Sequence, residues 1–243
     1  MLLPTLATIV LLTTTAAQPA GTSHESERFV PIDFADEMNI YLDRKDRFGG
    51  FHNSATFPRP GRHDLGGVPF VLGGTAESGE ITYGWNGYYA NARYGDGRKP
   101  RTLVIKTDLP NVDAVHTIMQ TFWSMPQGQS AVAMEFIGSD GARAHVAFSA
   151  GVNIRDYNHG HLRPHGAIEV AEVFNNHLGQ HMDRQTIDLP DDFLDEHLIE
   201  IRLIDTGRNR GHGAWSRAWL IALTAELGSM SAAAQAGART TSH

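Results

Sequence analysis

Apolar and polar residues alternate along short segments of this chain, with the two-residue period of a β-strand. The clearest case covers residues 131–137 and 142–149, with Ser139-Asp140-Gly141 between them. The Asp-Gly pair supplies turn residues that tolerate a left-handed backbone. The pattern therefore predicts a β-hairpin over these residues.

A later segment alternates in the same way. Ile199, Ile201 and Leu203 form the predicted buried face, and the opposite face holds Leu198, Glu200, Arg202 and Ile204. Short strands at regular spacing, without recurring amphipathic helices, predict a single all-β sandwich domain. Further strands are predicted at residues 29–34, 68–72, 102–106, 115–123, 186–189 and 215–227.

The first residues predict an exported protein. Residues 2–17 are uncharged and apolar or hydroxyl-bearing, and small residues at Ala16, Ala17 and Ala20 are typical of a secretory cleavage site. An uncleaved anchor or a lipid-facing tail is the alternative, although a span needs about 20 apolar residues. We expect a secreted, periplasmic or cell-surface protein that is free of the membrane after cleavage. The predicted organisation is a signal peptide at residues 1–20, a linker at 21–28, a β-sandwich at 29–228 and a disordered tail at 229–243.

Composition removes several classes of function. The chain has 243 residues and no cysteine, which excludes disulfides, thiolate metal sites and cysteine nucleophiles. Its formal charge is -7, and the sequence contains no block of basic residues that could contact phosphates. Nucleic acid is therefore not an expected partner.

Three blocks of sequence carry a family resemblance. They are Val30-Pro31-Ile32-Asp33-Phe34 followed by Asn39, then Gly66-Gly67-Val68-Pro69-Phe70, and a late strand that ends in residues 215–224. This pattern resembles the galactose-binding-like jelly-roll modules of exported bacterial proteins, which often lie beside glycoside-active domains. The resemblance covers about residues 29–227 and implies a jelly-roll β-sandwich that binds carbohydrate. The chain departs from the family at Phe51, where those modules have tryptophan.

A Gly- and Asn-rich segment contains the candidate ligand-binding residues Trp85, Asn86, Tyr88, Tyr89 and Asn91. Aromatic rings stack on the apolar C–H faces of sugars, and amides hydrogen-bond to sugar hydroxyls. Exposed, these residues would form a platform for a glycan. The alternative is that the rings belong to the core, as most aromatic side chains do.

Oxygen-bearing side chains near the first strand, Asp33, Asp36 and Asn39, are candidates for a structural calcium ion. The resembled modules often carry such an ion.

Three histidines, His159, His161 and His165, follow Asp156 and form the second candidate metal site. A His-x-His spacing puts two imidazoles on one side of an extended segment, which suits a divalent metal. The alternative is a solvated polar loop, because histidine is frequent in this chain.

The sequence favours an exported, noncatalytic carbohydrate-binding protein whose partner is a glycan or polysaccharide. The rival hypothesis is a glycan-directed hydrolase or lyase, with or without a bound metal, that uses the loop of His159, His161 and His165. A third possibility is an adhesive protein that binds another protein through an exposed apolar sheet face.

Overall fold

The computed structural model describes residues 28–40, 57–75, 81–87, 102–122, 126–158, 160–205 and 217–228. These residues are almost entirely strand and turn, with short 3₁₀ turns at Ala35–Glu37 and Asp191–Leu194, so the prediction of an all-β chain is confirmed. The strands are β1 (Phe29–Ile32), β2 (Gly61–Asp64), β3 (Pro69–Leu72), β4 (Gly74–Thr75), β5 (Ile81–Thr82), β6 (Trp85–Asn86), β7 (Thr102–Pro110), β8 (Val112–Phe122), β9 (Ser130–Gly138), β10 (Arg143–Ser149), β11 (Glu169–Asn175), β12 (His181–Asp188), β13 (His197–Asp205) and β14 (Arg217–Leu227).

The larger sheet has six strands and is built around β8 and β14. Its order is β1-β14-β8-β12-β11, and β6 pairs with β14 on the same side as β1. All of its ladders are antiparallel.

The smaller sheet has four antiparallel strands in the order β10-β9-β13-β7. The predicted hairpin is confirmed as β9 and β10, with Arg143 opposite Ile137. The Gly138 N–H donates to the Ala142 carbonyl at 2.8 Å and closes the turn. Gly141 has a φ of 117°, a conformation that only glycine adopts readily.

The predicted faces of β13 were wrong at two positions. Ile199 is 37% exposed, whereas Leu198 is fully buried. The pairing of β13 shifts between Leu198 and Glu200, because a β-bulge adds one residue there. A bulge reverses the faces of the residues on one side of it.

The two sheets pack face to face around a shared core. Val115, Met119 and Leu220 of the larger sheet meet Phe136 and Ile201 of the smaller one. Each is fully buried, and each such side chain stabilises the fold by roughly 1.5–3 kcal/mol relative to an exposed one.

A second cluster covers the outer face of the larger sheet. Trp219 lies at its centre, and its indole N–H donates to the Tyr83 carbonyl at 2.9 Å. The rings of Phe57 and Tyr157 pack edge-on against Trp219. The β2–β3 hairpin lies over this face, since Thr224 of β14 donates to the carbonyl of Pro69. The larger sheet is therefore buried on both faces here.

Two connecting segments lie at the edges of the sheets. Residues 33–37 leave β1 and lie beside β7, an edge strand of the smaller sheet. Residues 150–168 run from β10, the other edge of the smaller sheet, to β11, an edge of the larger one.

The predictions for the signal peptide at residues 1–20, for most of the linker and for the tail at 229–243 fall outside the described residues. Within the described ranges, no helix has the length and apolarity to cross a bilayer.

Candidate functional site

One row of side chains crosses the outer face of the smaller sheet. His145 of β10 lies opposite Glu135 of β9, which lies opposite Arg202 of β13, which lies opposite Val104 of β7. We call these four residues the cross-strand row. His145 is exposed, Val104 is 40% exposed, and the side chains of Arg202 and Glu135 are 39% and 34% exposed. Strands about 4.8 Å apart give the row a length of about 14 Å.

Ion pairs hold the central part of the row in place. Arg202 Nη1 lies 3.6 Å from Glu135 Oε2, and Arg202 Nε donates to Glu200. Lys106 donates to the same Glu200 carboxylate, and that hydrogen bond holds the pKa of Glu200 below its usual range. Glu200 is buried and pairs with both Arg202 and Lys106, so it fixes the positions of these two side chains. The guanidinium group is thus fixed in orientation while part of it remains accessible.

A shallow cleft of about 250 Å³ adjoins the end of the row. Its walls are Val104 and Lys106 on one side and Asp33, Asp36 and Glu37 on the other. This volume is below the ~300–1,000 Å³ of pockets for drug-sized ligands, so the cleft suits one small polar unit. Row and cleft share Val104 and form a continuous surface.

The calcium prediction at Asp33, Asp36 and Asn39 finds no support in the geometry. Asp33 Oδ1 accepts from the Ala35 N–H at 2.9 Å and stabilises the 3₁₀ turn. The Asn39 amide accepts from the Asn86 N–H at 2.8 Å and donates to the Asn86 carbonyl at 3.0 Å. Asn39 therefore fixes the position of β6. Among the described residues, no three acidic or histidine side chains are grouped so that they could hold a metal.

Trp85 and Asn86 do not form the predicted surface platform. Trp85 is 5% exposed and belongs to the core between the sheets. Asn86 is fully buried and donates to the Ala218 carbonyl at 2.9 Å. The cause is the pairing of β6 with β14, which draws this segment into the larger sheet. Tyr88, Tyr89 and Asn91 lie outside the described residues.

The histidine-rich segment is exposed where the structure describes it. His161 and His165 lie at the surface, and His165 Nδ1 lies 3.1 Å from the Arg163 carbonyl. His159 lies outside the described residues. The prediction of one metal held by all three imidazoles thus includes a residue that the structure does not describe.

A buried ionic cluster anchors the same connecting segment. Arg155 Nε and Nη2 donate to the two carboxylate oxygens of Asp183 at 2.7 and 2.6 Å. Nη2 also donates to Glu172 at 2.6 Å, which lowers the pKa of that carboxyl group. The Asp183 side chain is fully buried, so this bidentate pair is the charge compensation that makes its burial tolerable.

The segment around Arg155 inserts between β8 and β12 where these strands separate. The Thr121 N–H donates to the Arg155 carbonyl at 2.8 Å, and the Tyr157 N–H donates to the Thr121 carbonyl at 3.1 Å. On the other side, the His181 N–H donates to the Tyr157 carbonyl at 2.9 Å. Gln120, with its amide oriented to satisfy both neighbours, donates to Arg155 and accepts from the backbone of Asp183.

A buried histidine, His116, lies on the outer face of the larger sheet. His116 Nε2 lies 2.8 Å from Glu226 and Nδ1 lies 3.1 Å from the Thr186 hydroxyl. Burial lowers the pKa of His116 and outweighs the raising effect of Glu226. Glu226 also pairs with Arg28, so this group ties the start of β1 to the sheet.

Local sequence patterns assign no function to Glu135, Arg155 or Asp183. The partners of the cross-strand row are far apart in sequence, and only the register between strands brings them together. No local motif marks either group.

No model of a known protein family matches the chain, and no curated protein matches it.

Proposed function

We propose that this chain is an exported, noncatalytic glycan-binding protein whose contact surface is the cross-strand row together with the adjoining cleft. The observation that carries the proposal is the register that aligns His145, Glu135, Arg202 and Val104 across four strands. A galactose-binding-like jelly roll is the fold type that we propose for the sandwich.

The chemistry of the row suits sugar hydroxyls, each of which both donates and accepts hydrogen bonds. Arg202 supplies only donors, Glu135 supplies only acceptors, and the imidazole of His145 supplies one of each when neutral. Val104 offers an apolar surface to the C–H face of a sugar ring at the end of the row. Because Glu200 and Glu135 already orient Arg202, little side-chain freedom is lost on binding.

The shape of the surface favours a chain of sugars over a single one. The row is about 14 Å long by the spacing of neighbouring strands. The cleft beside Asp36 and Lys106 would accept a terminal or branching unit. An extended row with a small cleft at one end fits an oligosaccharide that lies across the strands.

Affinity electrophoresis on neutral and acidic polysaccharides, followed by a glycan array, tests the proposal. The wild-type chain is expected to be retained by at least one polysaccharide. Glu135→Gln removes one charged acceptor worth about 1.5–3 kcal/mol, so we expect the Kd to rise by about tenfold or more. Glu169→Gln is the matched control, because Glu169 is an exposed strand glutamate on the other sheet and should leave the Kd unchanged.

Two results would contradict the proposal. One is the absence of retention on every polysaccharide and glycan tested. The other is retention that Glu135→Gln and Glu169→Gln reduce equally, or not at all. Release of reducing ends during the assay, abolished by His161→Ala, would instead support the rival enzyme that uses the histidine-rich segment.

A further inference from the structure

The imidazole of His181 is buried with one nitrogen lacking a hydrogen-bond partner. Its Nδ1 lies 3.4 Å from the Gly179 carbonyl, which can only accept, so Nδ1 carries the hydrogen in the neutral ring. Nε2 then carries a lone pair, and it is buried without a partner. It faces Asp183 Oδ2 at 4.0 Å. Two acceptors therefore face each other in the interior, and a proton on Nε2 would turn this contact into an attractive one.

The carboxylate that faces His181 also holds the connecting segment. Asp183 Oδ2 accepts from Arg155 Nε at 2.7 Å, and Asp183 Oδ1 accepts from Arg155 Nη2. Arg155 belongs to the segment whose backbone inserts between β8 and β12. A change in the position of the Asp183 carboxylate therefore acts directly on the attachment of residues 151–158.

We propose that His181, Asp183 and Arg155 form an acid-operated latch on the histidine-rich connecting segment. Protonation at His181 Nε2 draws Asp183 Oδ2 toward the imidazolium, because a charge-assisted N–H···O bond needs about 2.7–2.9 Å rather than 4.0 Å. That movement lengthens the bond from Arg155 Nε, which shares the same oxygen. The segment then opens locally while the rest of the sandwich stays folded.

The surrounding charges are compatible with proton uptake. Asp183 on β12, Glu172 on β11 and Arg155 on the connecting segment are the charged groups that act on His181. Two carboxylates and one guanidinium leave one net negative charge, which a protonated imidazole would balance. Burial and the neighbouring Asp156 raise the pKa of Tyr157, and the Tyr157 ring packs against Trp219 and Phe57.

The direction of the pH effect follows from burial. In the closed state, burial lowers the pKa of His181 below its ordinary value of about 6.5. Opening rehydrates the ring and restores the ordinary pKa, so the open state binds the proton more tightly. The open population therefore rises as pH falls below about 6.5 and is lowest above that value.

Hydrogen exchange of the full chain at about pH 7 and about pH 5, corrected for intrinsic rates, measures this opening. We expect the protection of the Tyr157 and His181 amides to fall by about three- to tenfold between these conditions, since one proton allows at most tenfold per pH unit. Amides in β9 and β13 should keep their protection. His181→Gln should abolish the pH dependence, whereas the exposed-site control His165→Gln should retain it.

A second measurement applies even if the His181→Gln variant does not fold. In wild-type protein, NMR titration of the His181 ring should coincide with a shift of the Arg155 Nε–H resonance, because both contact Asp183. The latch is refuted if the Arg155 resonance does not follow the His181 titration. It is also refuted if His181→Gln and wild type lose protection equally.

Discussion

Replacing Arg155 with methionine would test how far one buried pair stabilises the whole domain. Methionine keeps much of the length and apolar stem of arginine but has no donors. The substitution leaves the fully buried Asp183 carboxylate without its two guanidinium bonds of 2.7 and 2.6 Å. Gln120 stabilises the Asp183 backbone and does not replace those bonds.

The loss in unfolding free energy depends on how much each of the two carboxylate partners of Arg155 contributes to it. Removing one partner of a buried ion pair costs about 3–5 kcal/mol, because the other charge remains buried and uncompensated. The second partner, Glu172, is 42% exposed, and pairs of that kind contribute only about 0–1 kcal/mol. The loss at Asp183 therefore dominates, and about 3–5 kcal/mol is a large fraction of the 5–15 kcal/mol that stabilises a typical domain.

Urea unfolding at about pH 7 measures this loss as a lower midpoint with an unchanged m-value. The double variant Arg155→Met with Asp183→Leu removes both charges, so we expect it to recover most of the loss. Arg163→Met lies on the same connecting segment at an exposed site and should change stability by less than about 0.5 kcal/mol. A loss of unfolding free energy below about 1 kcal/mol for Arg155→Met would contradict Arg155 as the charge compensation for Asp183. A double variant no more stable than the single variants would contradict it as well.

Two further predictions concern the larger sheet. Gly84→Ala should destabilise the fold severely, because Gly84 has a φ of 122° and an added Cβ would collide with the Leu220 carbonyl and lie 2.6 Å from the indole nitrogen of Trp219. Soluble yield and the thermal midpoint measure this destabilisation. Burial of neutral His116 stabilises the fold above the unfolded pKa of about 6.5, and this stabilisation is lost as pH falls toward the lowered folded pKa. The urea midpoint should therefore fall less steeply from about pH 7.5 to 5 in His116→Gln than in wild type.

Each of these predictions has a control. Gly128→Ala also replaces a glycine with positive φ, but nothing lies within 4 Å of the added Cβ, so a milder loss is expected than for Gly84→Ala. Equal losses at the two glycines would mean that backbone strain alone matters. His145→Gln is the exposed control for His116, and an equally reduced pH slope there would contradict burial as the cause.

Local patterns predicted the β9–β10 hairpin and strands at β1, β3, β7, β8, β12, β13 and β14, but they did not predict β2, β11 or the two-residue strands. Alternation in residues 131–149 reports directly on burial, because each strand has one face toward the core. In β10 the alternation puts Ala144, Val146 and Phe148 on one face, and all three pack against the core. The error at Ile199 arose from a bulge, which depends on pairing with two neighbouring strands and leaves no signal in the strand itself.

The candidate site was beyond the reach of local patterns for a related reason. Trp85 and Asn86 lie in a Gly-rich segment that looks like a surface loop, yet two residues of pairing with β14 bury them. Glu135 and Arg202 become neighbours only through the register of β9 and β13. The burial of Trp85 and Asn86 and the pairing of Glu135 with Arg202 both depend on how distant strands pair. The spacing of nearby residues does not show that pairing.

A binding footprint on the wild-type chain would locate the glycan-binding surface directly. Hydrogen exchange or NMR shift mapping with a retained polysaccharide should place the strongest changes on the outer face of the smaller sheet, at Val104, Glu135, His145 and Arg202, and on the cleft at Asp36. Changes confined to the histidine-rich segment, or to the outer face of the larger sheet, would contradict the proposed binding surface.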